Sequence, residues 1–188
     1  MVFKHYRRST SGANCRPVCA CCCTILLAPL ITIIVFLNIH HTAPLFQVGR
    51  LYIPALDKSS NASTNASIIF DLYFQNLERF SNVYYDPINV TFYDSPNRNH
   101  SVANFTIPEL TVKHKPRVND RRVKSGAVNA TGLDLEGAKR EIAANGFKIF
   151  NVSLETSVRY DYYALWKSKR HAYRADVGVK IGDTGAAI

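Results

Sequence analysis

The chain has 188 residues, 47% of them apolar and 20% charged, and it carries a formal net charge of +9. That balance fits one ordinary globular domain plus a segment of a different kind. All five cysteines fall at Cys15, Cys19, Cys21, Cys22 and Cys23, which excludes a disulfide framework from residue 24 onward.

The first 17 residues hold Lys4, Arg7, Arg8 and Arg16 and no acid, and the run from Val18 to Ile39 is uncharged. Twenty-two residues rising 1.5 Å each reach about 33 Å as a helix, against roughly 30 Å for a bilayer core. The spacing therefore predicts a membrane-spanning helix over 18–39, with Thr24 and Thr32 returning their hydroxyls to the backbone. A cleaved signal peptide shares the basic start, but its apolar core is ~7–15 residues long and ends in small residues. This run ends in Asn38-Ile39-His40-His41.

Four basic residues precede the span, and only Arg50 and Lys58 lie in the twenty after it, so the N-terminus is expected in the cytosol and the rest outside. The five cysteines then sit at the cytosolic membrane edge. They are candidates for S-palmitoylation, with small apolar filler as the other reading.

Residues 40–66 read as a juxtamembrane segment and linker. Alternating runs predict strands at Phe46–Ile53, Ser67–Asn76, Ile88–Tyr93, Ser101–Val112, Arg122–Ala130, Lys148–Tyr160 and His171–Ile181. From Asp134 to Asn145 the period changes: Leu135, Ala138 and Ile142 share a helical face, Thr131 or Asp134 can cap it, and Gly146 can end it. About seven strands, most of them with one short helix over 67–182, point to an all-β dominated, two-sheet sandwich of immunoglobulin or fibronectin III kind. Residues 183–188 read as a tail.

Seven Asn-x-Ser/Thr sequons occur, at Asn61, Asn65, Asn89, Asn99, Asn104, Asn129 and Asn151, and all lie beyond the span. An outward-facing domain makes them candidate N-glycosylation sites. Alternation places Ile88, Val90 and Phe92 on one face and Asn89 on the other. In the same way it sets Asn151 opposite Phe150, Val152 and Leu154 and predicts that it points outward.

Six bases, Lys113, Lys115, Arg117, Arg121, Arg122 and Lys124, crowd within twelve residues, and Lys167, Lys169, Arg170 and Arg174 form a second group. Such patches suit acidic polysaccharide or anionic lipid headgroups; solvated hairpin tips are the alternative. Tyr84, Tyr85, Tyr160, Tyr162, Tyr163, Trp166 and Tyr173 read as aromatic core ahead of a binding platform. The histidines stand apart from Cys and carboxylate, and Asp183-Thr184-Gly185 reads as a tail turn, not a protease triplet. No catalytic residue, metal site or cofactor is expected. The compartment also rules out nucleic acid.

The basic, Cys-rich start, Asn76 after Phe74-Gln75, Val83-Tyr84-Tyr85-Asp86, the Leu135–Gly146 helix, and Val158-Arg159-Tyr160 with Trp166-Lys167 together resemble the plant harpin-induced-like and non-race-specific disease resistance family. Its outer part is a late-embryogenesis-abundant type 2 domain. Where that family usually has Asn-Pro-Asn, this chain has Asn76-Leu77-Glu78. The resemblance implies a non-enzymatic, single-pass plasma-membrane adaptor or sensor in plant defence and the hypersensitive response, partnered by the bilayer and by membrane or wall-associated proteins. The alternatives are a structural protein protecting membranes during water deficit and a lipid-binding module.

Overall fold

The computed structural model describes residues 25–36, 42–59, 66–78, 81–95, 97–113, 121–162 and 166–188. It divides into a unit ending at His41 and a second from Thr42 to Ile188. In the first unit, residues 25–36 form helix α1, about 18 Å long at 1.5 Å per residue. Its apolar side chains are exposed all round, and Thr32 Oγ1 donates to the Ala28 carbonyl at 2.8 Å, as expected of a helix that must satisfy its own polar groups. No helix among the described residues is long and apolar enough to cross a membrane. Residues 18–24 and 37–39 of the predicted span lie outside them.

Among its described residues the second unit contains eleven strands and one helix. Strands β1 (Leu45–Asp57), β2 (Ser67–Gln75), β7 (Arg121–Asn129) and β11 (Thr184–Ala186) form one sheet in the order β11-β1-β2-β7. The other sheet holds β3 (Asn82–Tyr85), β4 (Ile88–Tyr93), β5 (Ser101–Ile107), β6 (Leu110–Val112), β8 (Lys148–Tyr162), β9 (Trp166–Lys167) and β10 (His171–Ile181). The expected count of about seven is corrected to eleven, in sheets of four and seven.

Proline chemistry explains much of the excess. Strands β3 and β4 pair with the same edge of β8, Tyr85 with Val158 and Asn89 with Glu155, and are separated only by Asp86-Pro87. Similarly, β5 and β6 flank Pro108 and pair with β4 and β3 in turn. A proline has no N–H for the ladder, so one long strand becomes two. The sheet is in effect four rows of chain, with β8 between β3/β4 on one side and β9/β10 on the other.

The core lies between the sheets. Along β2, Ile68, Phe70, Leu72 and Phe74 are fully buried, alternating with half-exposed neighbours. The Phe70 ring lies 5.1 Å from Phe92 on β4 and 5.2 Å from Phe105 on β5, and Phe74 lies 5.5 Å from Tyr85 on β3. Space for Phe70 comes from Gly126 opposite it on β7, where an added Cβ would stand 2.8 Å from the ring tip.

Helix α2, Leu135–Asn145, matches its predicted limits. Asp134 accepts the Gly137 N–H at 2.9 Å, and Gly146, at φ 81°, closes the other end through its N–H to the Ile142 carbonyl. Ala138 and Ile142 are its buried face, while Leu135 is half-exposed.

Replacing Phe70 with Ala removes a ring in contact with both strands of the facing sheet. It is expected to lower unfolding stability by about 3–5 kcal/mol. Chemical denaturation with an unchanged slope but a lower midpoint is the predicted signature; a loss under ~1 kcal/mol contradicts the assignment of Phe70 to the centre of the core.

Candidate functional site

Three of the sequence motifs that carry the resemblance come together on adjacent strands. Tyr84 on β3 is in register with Arg159 on β8, and Asp161, two residues further on β8, is opposite Lys167 on β9. Period two then puts Tyr84, Arg159, Asp161 and Lys167 on the outer face of the seven-stranded sheet, while Val83, Tyr85, Val158 and Tyr160 turn into the core. The outer four, with Tyr160, line a cavity of about 40 Å³.

Inside this cluster the Tyr84 hydroxyl donates to Asp161 Oδ2 at 3.2 Å, and Asp161 is only 6% exposed. Burial, reinforced by the Asp161 hydrogen bond, raises the Tyr84 hydroxyl above the usual phenol range, so it stays a neutral donor. Arg159 lines the cavity with a buried Nε that has no hydrogen-bond partner among the described residues. Trp166 stacks on Tyr162 at 5.5 Å and 23°, fixing the start of the short strand that presents Lys167.

The remaining motif residues are structural. Asn76 Nδ2 donates to the Ser81 carbonyl at 2.7 Å, and its Oδ1 accepts the Glu78 N–H at 2.8 Å, so one side chain closes the passage from β2 to β3. Only the first Asn of the family triplet is needed for that bond pattern, which explains why Leu77-Glu78 is tolerated. Asp86 accepts Thr156 Oγ1 through its carbonyl at 3.0 Å, donates its N–H to Ser157, and pairs through its carboxylate with Arg170 at 3.1 Å. It fastens the kink between β3 and β4 to β8.

The same end of the sandwich receives the start of the domain. The Thr42 N–H donates to the Glu78 carboxylate, the Tyr160 hydroxyl donates to the Thr42 carbonyl at 3.3 Å, and the Tyr173 hydroxyl donates to the Pro44 carbonyl at 2.7 Å. Of the aromatics read as core, Tyr85, Tyr160 and Tyr162 are buried, Tyr84, Trp166 and Tyr173 are half-buried, and Tyr163 lies outside the described residues.

The predicted basic patch is described only in part. Lys115 and Arg117 lie outside the described residues, and Lys113 sits just past β6. Arg121, Arg122 and Lys124 lie within the edge strand β7, not on a hairpin tip. Arg122 and Lys124 are in register with Phe74 and Leu72 in the last strand of the four-stranded sheet, Arg122 exposed and Lys124 half-exposed. In the second group, Arg174 meets Glu155 at 3.0 Å and Asp176 at 3.6 Å, over a hollow of about 360 Å³ lined by Glu155, Thr156, Ala172, Tyr173 and Arg174.

Of the sequons, Asn61 and Asn65 lie outside the described residues, as do all five cysteines. Asn89, Asn99, Asn104 and Asn129 are exposed. Asn89 is opposite Thr106 and Thr91 opposite Asn104, so two sequons interlock across the β4–β5 hairpin, with Thr106 Oγ1 donating to Asn89 Oδ1 at 3.1 Å. Asn151 corrects the expectation: it is 7% exposed and its neighbour Ser153 2%. On this face Arg98, in the β4–β5 turn, pairs at 2.8 Å with Asp176 of β10, which is in register with Ser153 of β8. Asp183-Thr184-Gly185 does form a turn, closed by the Gly185 N–H donating to the Gly182 carbonyl at 3.1 Å, and it leads into strand β11, where Gly185 backs onto the Ile53 carbonyl.

Sequence reading named Arg159 only as part of the Val158-Arg159-Tyr160 motif and did not name Asp161. Their signal was present in the alternation of β8, but their meaning needed Tyr84 and Lys167 beside them.

Burial pushes the Tyr160 and Tyr162 hydroxyls up to about 12, with the Glu78 carboxylate adding to it. An unfolded phenol ionises near 10, so this stabilisation is complete below pH 10 and disappears as pH rises from about 10 toward 12. Loss of near-ultraviolet circular dichroism is expected in that window, together with the rise in phenolate absorbance. Full tyrosine ionisation with the tertiary signal intact would contradict it.

No protein-family profile matches the chain. Among curated proteins, Protein NDR1 of Arabidopsis thaliana is 28% identical over 181 residues, covering 93% of this chain and 78% of that one. Among solved structures, a protein from Archaeoglobus fulgidus aligns at 9% identity and a TM-score of 0.35 over 75% of this chain and 95% of its own. A chain described as a late embryogenesis abundant protein aligns at 11% and 0.35 over 96% and 95%. Over nearly its whole length the chain is thus similar to a plant non-race-specific disease resistance protein, the resemblance that its motifs imply.

Proposed function

We propose that this chain acts in plant disease resistance as a non-enzymatic adaptor or sensor, anchored by one membrane helix with its sandwich on the extracellular side of the plasma membrane. The observation that carries the reading is the similarity to Protein NDR1 along 93% of the chain. Physical support for the anchor comes from α1, whose side chains are apolar and exposed around the full circumference. That arrangement is unfavourable in water and favourable in lipid. Support for an outward domain comes from the exposure of Asn89, Asn99, Asn104 and Asn129.

An adaptor of this form transmits through partners. In this reading, contacts on the sandwich and acylation at Cys15 to Cys23 are the routes to those partners. Proximity labelling from both ends in infected and uninfected tissue tests this. Infection-dependent recovery of immune receptors is expected; bulk membrane proteins alone in both states overturn it.

The exposed and buried sequons make a separate forecast. Enzymatic removal of N-glycans should increase the mobility of the expressed protein, and Asn104→Gln should reproduce one step of that change. Asn151→Gln should leave mobility unaltered, because Asn151 is buried between β4 and β10. A protein whose mobility ignores glycosidase treatment does not have its sandwich in the secretory lumen.

A further inference from the structure

We propose that the cavity formed by Tyr84, Arg159, Asp161 and Lys167 on the outer face of the seven-stranded sheet is a binding site for one phosphate-type oxyanion. It goes beyond the adaptor reading and does not depend on it. Two cations converge on this small space from neighbouring strands, and the one carboxylate lining it is already engaged by the Tyr84 hydroxyl. The cluster therefore keeps a net positive charge of one, held partly out of water where charge attraction is stronger.

The contrast with the nearby hollow is informative. There Arg174 is matched by Glu155 and Asp176, so the charge is cancelled. At the smaller cavity, Lys167 forms no ion pair among the described residues, and the Arg159 Nε–H is buried without an acceptor. An unsatisfied buried donor is costly, and native structures keep few of them, so such a group calls for a missing acceptor.

Size and chemistry narrow the ligand. One water needs ~10–15 Å³ on this measure, so about 40 Å³ holds a few waters or a single tetrahedral oxyanion, and no sugar ring or acyl chain. A guanidinium fork beside an ammonium suits an acceptor with several equivalent oxygens, and Arg in particular binds phosphate through paired N–H groups. The phosphate of a lipid headgroup and free inorganic phosphate offer the same chemistry, and the two sources can be separated by experiment.

Calorimetric titration of inorganic phosphate into the full chain in neutral-detergent micelles, at ionic strength held constant with chloride, supplies the first arm. The second readout is the fluorescence of Trp166, the single tryptophan of the chain and the residue before Lys167. Saturable binding with a matching fluorescence change is expected. Lys167→Gln, at an exposed position, should weaken it roughly tenfold with the unfolding midpoint unchanged, and Arg159→Gln should abolish it.

In the second arm the full chain is placed in nanodiscs of phosphatidylcholine with or without phosphatidic acid. If the headgroup is the source, phosphatidic acid alone should shift Trp166 emission and suppress the phosphate response; if free phosphate is the source, titration should proceed equally in both. The absence of saturable phosphate binding in micelles together with no phosphatidic acid effect overturns the proposal. So does binding that Lys167→Gln, shown to be folded, leaves unchanged.

Discussion

Strand β8 is the constraint on which the sandwich depends. It is 15 residues long and pairs with β4 and β3 along one edge and with β10 and β9 along the other, so four strands take their register from it. Its inward residues Phe150, Val152, Leu154, Val158 and Tyr160 are all buried, which leaves a one-residue slip no neutral alternative: it would turn the whole apolar set outward. Even its outward residues Asn151 and Ser153 are buried. A strand covered on both faces and paired on both edges is the most protected part of the molecule.

That protection sets the position of the candidate site. Arg159 and Asp161 lie further along β8, and Tyr84 and Lys167 are delivered to either side of them by strands that β8 itself orders. Asp86, bonded to β8 through both its N–H and its carbonyl, holds the kink that brings Tyr84 into register. The motif residues thus divide into two kinds. Asn76, Tyr85, Asp86 and Trp166 shape the scaffold, while Tyr84, Arg159, Asp161 and Lys167 lie on the outer side of the sheet and line the cavity.

Much of the fold was legible because burial imposes a period of two on a chain between water and core. Ile88–Tyr93 and His171–Ile181 were found at their observed limits, and Asp134 and Gly146 marked both ends of α2 through capping chemistry that acts within a few residues. What escaped was short or broken. β9 has two residues and β11 three, too few to show any period, and Pro87 and Pro108 divided strands whose alternation runs on either side of them. The candidate site was legible only in pieces, because its four side chains come from three strands that are separated in sequence by as much as 83 positions, from Tyr84 to Lys167.

Sequence by itself determined the apolar run from residue 18 to 39, the all-β character of the chain beyond it, the capped helix and the similarity of kind to disease resistance proteins, since each rests on local pattern or on motifs read in order. Tertiary structure alone decided which polar residues are available. Asn89 and Asn151 stand in the same kind of sequon on the same kind of alternating strand, yet one is exposed and the other buried between β4 and β10. Arg122 and Arg159 both lie on β-strands, yet one is exposed in the last strand of its sheet and the other carries a buried donor into a cavity. Alternation says which face a side chain takes, and only packing says what lies over that face.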